Sequence, residues 1–394
     1  MFKKFNNWVK SQEKILSQRD YQLIKKSGKI ILGNVCEGQE FPWYPYRCIK
    51  PFKFPAGTQE WSNGLWNWDS AFHAMGVRRW DIQLAKEQIL GFTQYQLKDG
   101  MFVDSVRKDG EIIAFSSKPP VFAYAVQKIY EQDGDIEFIK AVYPRLAKNQ
   151  EFWDDLRSWK GLFHYGANLS NTNTDHFIKS IKNESGWDNS VRWDVSCSDF
   201  WAIDLNCFMI MRFRSMSFLA NALGKKDDAE NFAKRAEELS QKINKYFWND
   251  ELRAYTDINR FNLKPSDVLT PASFMPLFVG VATPERAEYM EKLAADERKF
   301  FPGMPTVSYD NPNFSLEKYW RGNTWLNVAY FAAKGLKNYG YHETADAIKE
   351  TILGWVEKDG DCIHENYNSV TGDGLFCSKF SWSSVFVIEF ILNW

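Results

Sequence analysis

Between Asn183 and Trp193 the chain reads NESGWDNSVRW, placing Glu184, Asp188, Arg192, Trp187 and Trp193 around Gly186. Carboxylates and a guanidinium beside indoles make either a packed, salt-bridged loop or one wall of a sugar pocket. In such a pocket flat aromatic surface covers the apolar face of the ring and a few placed polar groups hold its hydroxyls. The same mixture recurs in WSNGLWNWDS, KYWRGNTW and KFSWSS, where tryptophan stands beside Gly, Asn, Asp or Ser. With 17 Trp, 17 Tyr and 31 Phe, aromatics make up 16% of the chain, so many must be core. Those in polar company read as loops or helix mouths.

The elements that would position such loops are helical. Apolar residues three and four apart run through 8–32, 69–79, 81–97, 118–132, 135–157, 199–223, 226–247, 270–279, 283–295, 318–339, 341–357 and 381–392. Asp199 is a candidate N-cap, Thr283-Pro284 opens PERAEYMEKLAA, and Gly335 and Gly340 punctuate the junction between two helices. The pairs 199–223 with 226–247 and 318–339 with 341–357 are joined by a few residues, which makes them antiparallel hairpins. In each pair the first helix is the more apolar and the second keeps a charged stripe, the pattern of alternating inner and outer helices. Six such pairs predict an all-α fold closed as a double ring, an (α/α)6 barrel. The alternative, an open solenoid, needs a fixed sequence repeat, and none is visible. A closed ring gathers the irregular loops at one end of the inner helices, where rigidly held loops carry function.

Composition narrows the class further. The 394 residues contain no linker-like tract, so a single domain spanning 1–394 is expected. With 49 basic and 50 acidic residues the net charge is -1, which lacks the one-sided field expected of a nucleic-acid or anionic-membrane partner. A small or neutral ligand fits better. No apolar run reaches membrane-spanning length, and the basic start MFKKFNNWVKSQEKILSQRD leads into no signal-peptide core. Six scattered cysteines without a CxxC pair suit reduced thiols, and a cytoplasmic location is expected. The five histidines have no metal-ligand spacing, and DGDC at 359–362 is no calcium loop, so neither a metal nor another cofactor is expected.

Six strings in order, WNWDSAFHAMG (66–76), FSSKPPVFAYAV (115–126), ESGWDNSVRW (184–193), KYWRGNTWLNVAYF (318–331), IHENYNSVTGDG (363–374) and FSWSS (380–384), resemble the successive motifs of the clan joining trehalases with glycoside hydrolase family 63. In length, and in the YWRG and ENYN forms, the chain is most similar to the minimal single-barrel members typified by mannosylglycerate hydrolase. The resemblance covers nearly the whole chain. It implies an (α/α)6 barrel and inverting attack on an α-glycosidic bond of a small glucoside or mannoside.

Such inversion needs a protonated carboxylic acid on the leaving oxygen and an ionised carboxylate activating water on the other face. Asp188 matches the clan's general acid, and its apolar neighbours favour the protonated form that an acid requires. Glu365 matches the general base. Trp68 and Asp69 match positions around the sugar at the cleaved end, and Trp320, Arg321 and Trp325 form a further wall. Arg192 holds substrate or orients Asp188, Trp187 desolvates the acid, Gly186 lets the backbone approach the sugar, and Trp382 opens the last helix. One departure concerns Lys118: trehalases have SQPP where this chain has SSKPP. A lysine there either favours an acidic group on the substrate or turns away into a salt bridge. Two other classes share the barrel: a sugar epimerase, which needs a histidine pair facing an opened ring, and a non-catalytic carbohydrate-binding relative.

Overall fold

The computed structural model describes residues 1–36, 45–52, 64–168 and 174–394, the side chains of 174–176 excepted. Among the described residues the helices are α1 Phe2–Gln12, α2 Gln18–Gly33, α3 Asn67–Val77, α4 Ile82–Thr93, α5 Phe122–Asp133, α6 Ile136–Arg157 and α7 Thr174–Ser185. They continue with α8 Ile203–Ala222, α9 Lys226–Tyr246, α10 Met275–Phe278, α11 Pro284–Ala295, α12 Leu326–Asn338, α13 His342–Lys358 and α14 Ser381–Leu392.

Burial sorts these helices into two layers. Every residue of α3 is buried, as are ten of the thirteen in α12 and ten of the twelve in α14, whereas α9 buries only a stripe that includes Phe232, Leu239 and Ile243. Helices apolar on all sides belong inside, and those with a charged face belong outside. The inner ring runs α3, α5, α8, α10, α12, α14, each packed on the next, and α14 closes on α3. Outside it α2 lies on α14, α4 on α3, α9 on α8 and α13 on α12. The architecture is therefore a closed (α/α)6 barrel. Helix α10 and the 3-10 turn Pro271–Phe274 before it form the shortest inner element; they approach α12 at Gly335, where a Cβ would meet the Phe278 backbone nitrogen at 2.7 Å. Gly335 thus lies inside α12, while Gly340 (φ +89°) makes the turn into α13.

Several boundaries differ from the periodicity for identifiable reasons. The run 8–32 breaks because the Ser17 hydroxyl accepts the Asp20 N–H and starts α2 afresh. Helix α8 begins at Ile203, with Ala202 and not Asp199 as its N-cap. The residues 318–325 precede α12 as an irregular loop, because the aromatics that completed the helical pattern face a cavity. Helix α7, TDHFIKSIKNES, was not expected from so few apolar residues. Thr283 does cap α11 by accepting the Arg286 N–H, with Pro284 in the first turn.

Short antiparallel ladders lie among the connections. Gly64–Trp66 pairs with Ser105–Arg107, Phe200–Trp201 with Ile258–Asn259, and Asn366–Tyr367 with Gly374–Leu375. Cys197, Cys207, Cys362 and Cys377 are free thiols. Among the described residues no helix is long and apolar enough to cross a membrane.

Candidate active site

The N-terminal ends of the inner helices surround a cavity of about 400 Å³. Trp66 and Trp325 are the N-caps of α3 and α12, Phe380 is the N-cap of α14, and all three line it. Lys118 enters from the segment before α5, and Asn183, Gly186 and Asp188 come from the end of α7 and the turn after it. Asp188 stands on the connection into α8 and Glu365 on the connection into α14. Those two helices are three places apart in a ring of six, so the carboxylates reach the cavity from opposite sides of the barrel.

Three carboxylates line this space: Asp69, Asp188 and Glu365. Asp69 and Glu365 are buried, at 6% and 7% exposure. Removal from water pushes Glu365 up to about 8; Tyr319, donating its hydroxyl hydrogen to Oε1, pulls the other way, and the charge of Asp69 adds to the rise. Burial likewise lifts Asp69 to about 7 against the pull of Lys118. Asp188 is raised by desolvation, opposed by Lys118 and supported by Asp104. Its exposed surface faces the cavity it lines, so the enclosing protein still dominates its titration.

Indoles form the walls. Trp320 and Trp325 stack at 3.7 Å with planes 12° apart, Trp325 stacks on Trp382 at 5.7 Å, and Trp382 meets Trp68 at 5.9 Å. Gly186 has φ +75°, and a Cβ there would overlap the six-membered ring of Trp68. Its freedom therefore serves two needs, a left-handed backbone and the close approach of an indole.

The structure brings Trp68, Asp69, Lys118, Gly186, Asp188, Trp320, Trp325, Glu365 and Trp382 to one cavity. It does not bring Trp187, Arg192 or Arg321. Trp187 is buried behind the wall, against Trp320 at 5.1 Å. Arg192 is held by Asp204 and Asp257, with four hydrogen bonds of 2.8–2.9 Å, between the rings of Trp187 and Trp193. Arg321 faces outward to Asp194 and the Asn189 carbonyl. Lys118 lines the cavity, but its ammonium donates to the Asn183 carbonyl (2.5 Å) and side chain (2.8 Å) and lies 3.2 Å from Asp104. Sequence reasoning missed Tyr319, Asn183, Phe376 and Cys377, all of which line the space. A hydroxyl directly before the paired tryptophans of KYWRGNTW was the signal for Tyr319.

No histidine lines the cavity among the described residues, and none of their His, Cys, Asp and Glu side chains cluster as a metal site. His73 is buried in α3, where desolvation lowers it to about 3.

A closed ring of six helix pairs with a carboxylate- and indole-lined cavity at one end is the architecture of the (α/α)6-barrel glycosidases. Residues 62–383 match the mannosylglycerate hydrolase MGH1-like glycoside hydrolase domain. The mannosylglycerate hydrolase of Rubrobacter radiotolerans is 29% identical over 193 residues, 48% of this chain and 43% of that protein. The mannosylglycerate hydrolase of Thermus thermophilus is 24% identical over 405 residues, covering 82% of this chain and 93% of that one. The solved structure of the glycoside hydrolase family 63 mannosylglycerate hydrolase from Thermus thermophilus in complex with Tris and D-glycerate superposes with a TM-score of 0.76, at 23% identity over 94% of this chain and all of that one. The chain belongs to the MGH1-like glycoside hydrolase family.

Proposed function

We propose that the chain, acting as one catalytic domain, is an inverting α-glycosidase for a small α-linked glucoside or mannoside. Asp188 is the general acid and Glu365 the general base. The observation that carries this is the delivery of two carboxylates to one cavity from connections opposite each other in the ring. Attack from the face opposite the leaving oxygen needs that arrangement, and the inverting outcome follows the family resemblance, with the released anomer as its test.

Each residue then has a defined task. Burial favours the protonated form of Asp188, which donates to the glycosidic oxygen as the bond breaks. Tyr319 donates to one oxygen of Glu365 and leaves the other to take a proton from water. Asp69 accepts from sugar hydroxyls at the start of α3, and Trp68, Trp320 and Trp325 supply flat surface that excludes water around the ring. Lys118 lowers Asp69 and Asp188 through its charge, while its own donors are spent on Asn183 and Asp104.

Glycerate conjugates belong in the substrate panel because relatives are mannosylglycerate hydrolases and one was solved with D-glycerate. The test is turnover of α-glucosides and α-mannosides, including the glycerate conjugates and trehalose, with NMR detection of the first anomer released. The β-anomer from an α-substrate is the expected product, and the α-anomer would refute inversion. Asp188→Ala and Glu365→Ala should each lose at least about two orders of magnitude in kcat; near-normal turnover by either removes its assignment.

A further inference from the structure

The acid and the base sit on loops far apart in sequence, yet one short segment touches both. Tyr319 donates its hydroxyl hydrogen to Glu365. One residue later the Trp320 N–H donates to the Asn189 side-chain oxygen at 2.8 Å, and Asn189 immediately follows Asp188. Arg321 then donates to the Asn189 carbonyl at 3.2 Å and pairs with Asp194 through two hydrogen bonds of 2.6 Å. The segment is itself pinned. The Trp325 indole N–H donates to the Tyr319 carbonyl at 3.0 Å, and Thr324 exchanges backbone hydrogen bonds of 2.8 and 3.0 Å with Tyr367, two residues beyond Glu365. Tyr319 is also wedged edge-on between Trp325 and Phe376, each at 4.8 Å.

We infer that Tyr319–Trp320–Arg321 is a spacer that fixes the distance between the general acid and the general base, with Tyr319 and Asn189 as positioning residues at its two ends. The inference rests on the roles proposed above for Asp188 and Glu365. Inversion depends on a carboxyl separation wide enough to hold a water beside the sugar, and misplacement of a catalytic group by a fraction of an ångström to an ångström is costly. Loops on different inner helices have no covalent reason to keep that separation. The spacer supplies one, since at one end it holds the base by its side chain and at the other it holds the acid's turn through the next residue. Because Tyr319 occupies one oxygen of Glu365, it also selects which oxygen meets water.

The two ends act on different steps, which makes the inference testable without a structure of a complex. An α-glycosyl fluoride releases fluoride without a proton from the general acid but still needs the base; an alkyl α-glycoside of the same sugar needs both. The probes are α-mannosyl and α-glucosyl fluoride beside the matching methyl α-glycosides. Asn189→Leu should lower kcat on the methyl glycoside about tenfold and come within about twofold of wild type on the fluoride. Asn189→Asp, which keeps an acceptor for the Trp320 N–H, should restore most of the rate. Tyr319→Phe should slow both substrates alike, again by about tenfold, and move the acid limb of kcat/KM to higher pH, because a donor that favours the ionised carboxylate is gone. Arg321→Met, at the outward-facing, half-buried end of the spacer, should give the same substrate split as Asn189→Leu and serves if that variant does not fold.

Equal slowing of both substrates by Asn189→Leu and Arg321→Met, or wild-type rates and an unshifted pH profile in Tyr319→Phe, would overturn the spacer. Glu365→Ala separates the two levels. If it is inactive while the spacer variants are normal, only the spacer fails; if it turns over normally, the proposed base fails with it.

Discussion

Replacing Arg192 by Met should cost stability far more than substrate binding. The guanidinium is buried at 3% exposure, donates four charge-assisted hydrogen bonds to Asp204 and Asp257, and lies 5.0 and 4.6 Å from the Trp187 and Trp193 ring centres. Its removal leaves two carboxylates facing each other without a cation, and breaking a buried ion pair from one side costs about 3–5 kcal/mol. A chain of 394 residues has an unfolding entropy of about 0.8 kcal/mol/K, so the loss corresponds to a fall in Tm of about 4–6 °C. Arg192→Lys should lose part of this, since an ammonium cannot fork to two carboxylates. The triple variant Arg192→Met, Asp204→Asn, Asp257→Asn, which removes the stranded charges, should recover part of it. The assays are thermal or denaturant unfolding together with steady-state kinetics. KM should stay within about threefold of wild type, while kcat falls modestly because the 191–193 turn supports Asp188. An unchanged Tm with a tenfold rise in KM would refute the reasoning and return Arg192 to the substrate.

Folded stability should decline as pH rises between about 4 and 8: Asp69 and Glu365 titrate near 7 and 8 when folded but near 3.8 and 4.5 when not, so the unfolded chain releases its protons first. A flat stability profile over that range in denaturant melts would contradict it. In the same window kcat/KM should climb through the range 7–8 on its acid limb, as Glu365 ionises; a limb near pH 4.5 would show that the base is not desolvated. Gly186→Ala forces a side chain into a left-handed position and against Trp68, so a loss of about 1–3 kcal/mol in unfolding measurements and a raised KM are expected, and neutrality in both would discount the packing. Lys179 is exposed, one turn before Asn183 in α7, and its charge reaches Asp188. Lys179→Ala should raise KM severalfold for a glycerate conjugate and leave the glycerol conjugate unchanged; equal effects on both would place it away from the leaving group.

The ring was legible because α8 and α9, or α12 and α13, carry different burial patterns in adjacent stretches of chain, and period alone reports that difference. Residues 318–325 were misread as helix because Tyr319, Trp320 and Trp325 are apolar for the sake of a cavity, and periodicity does not distinguish burial against protein from burial against a site. Helix α7 was missed since Phe177, Ile178 and Ile181 give it little apolar face. The motif residues of the site were readable as types, but which way they point was not. Arg192 finds its partners 12 and 65 residues further along, and Lys118 finds Asn183 65 residues away. Such pairings are set by the closed ring, and no local spacing encodes them.

The cavity holds three carboxylates, and the ammonium that faces them is engaged elsewhere. A neutral sugar gains little from that field, whereas a sugar whose anomeric carbon is becoming an oxocarbenium ion gains a great deal. With Asp188 protonated, the ionised forms of Glu365 and Asp69 would attract that charge as it develops, so the attraction is selective for the transition state. Ring-nitrogen sugar mimics carry that charge whenever the amine is protonated, and they should bind in this pocket more tightly than the sugars they imitate.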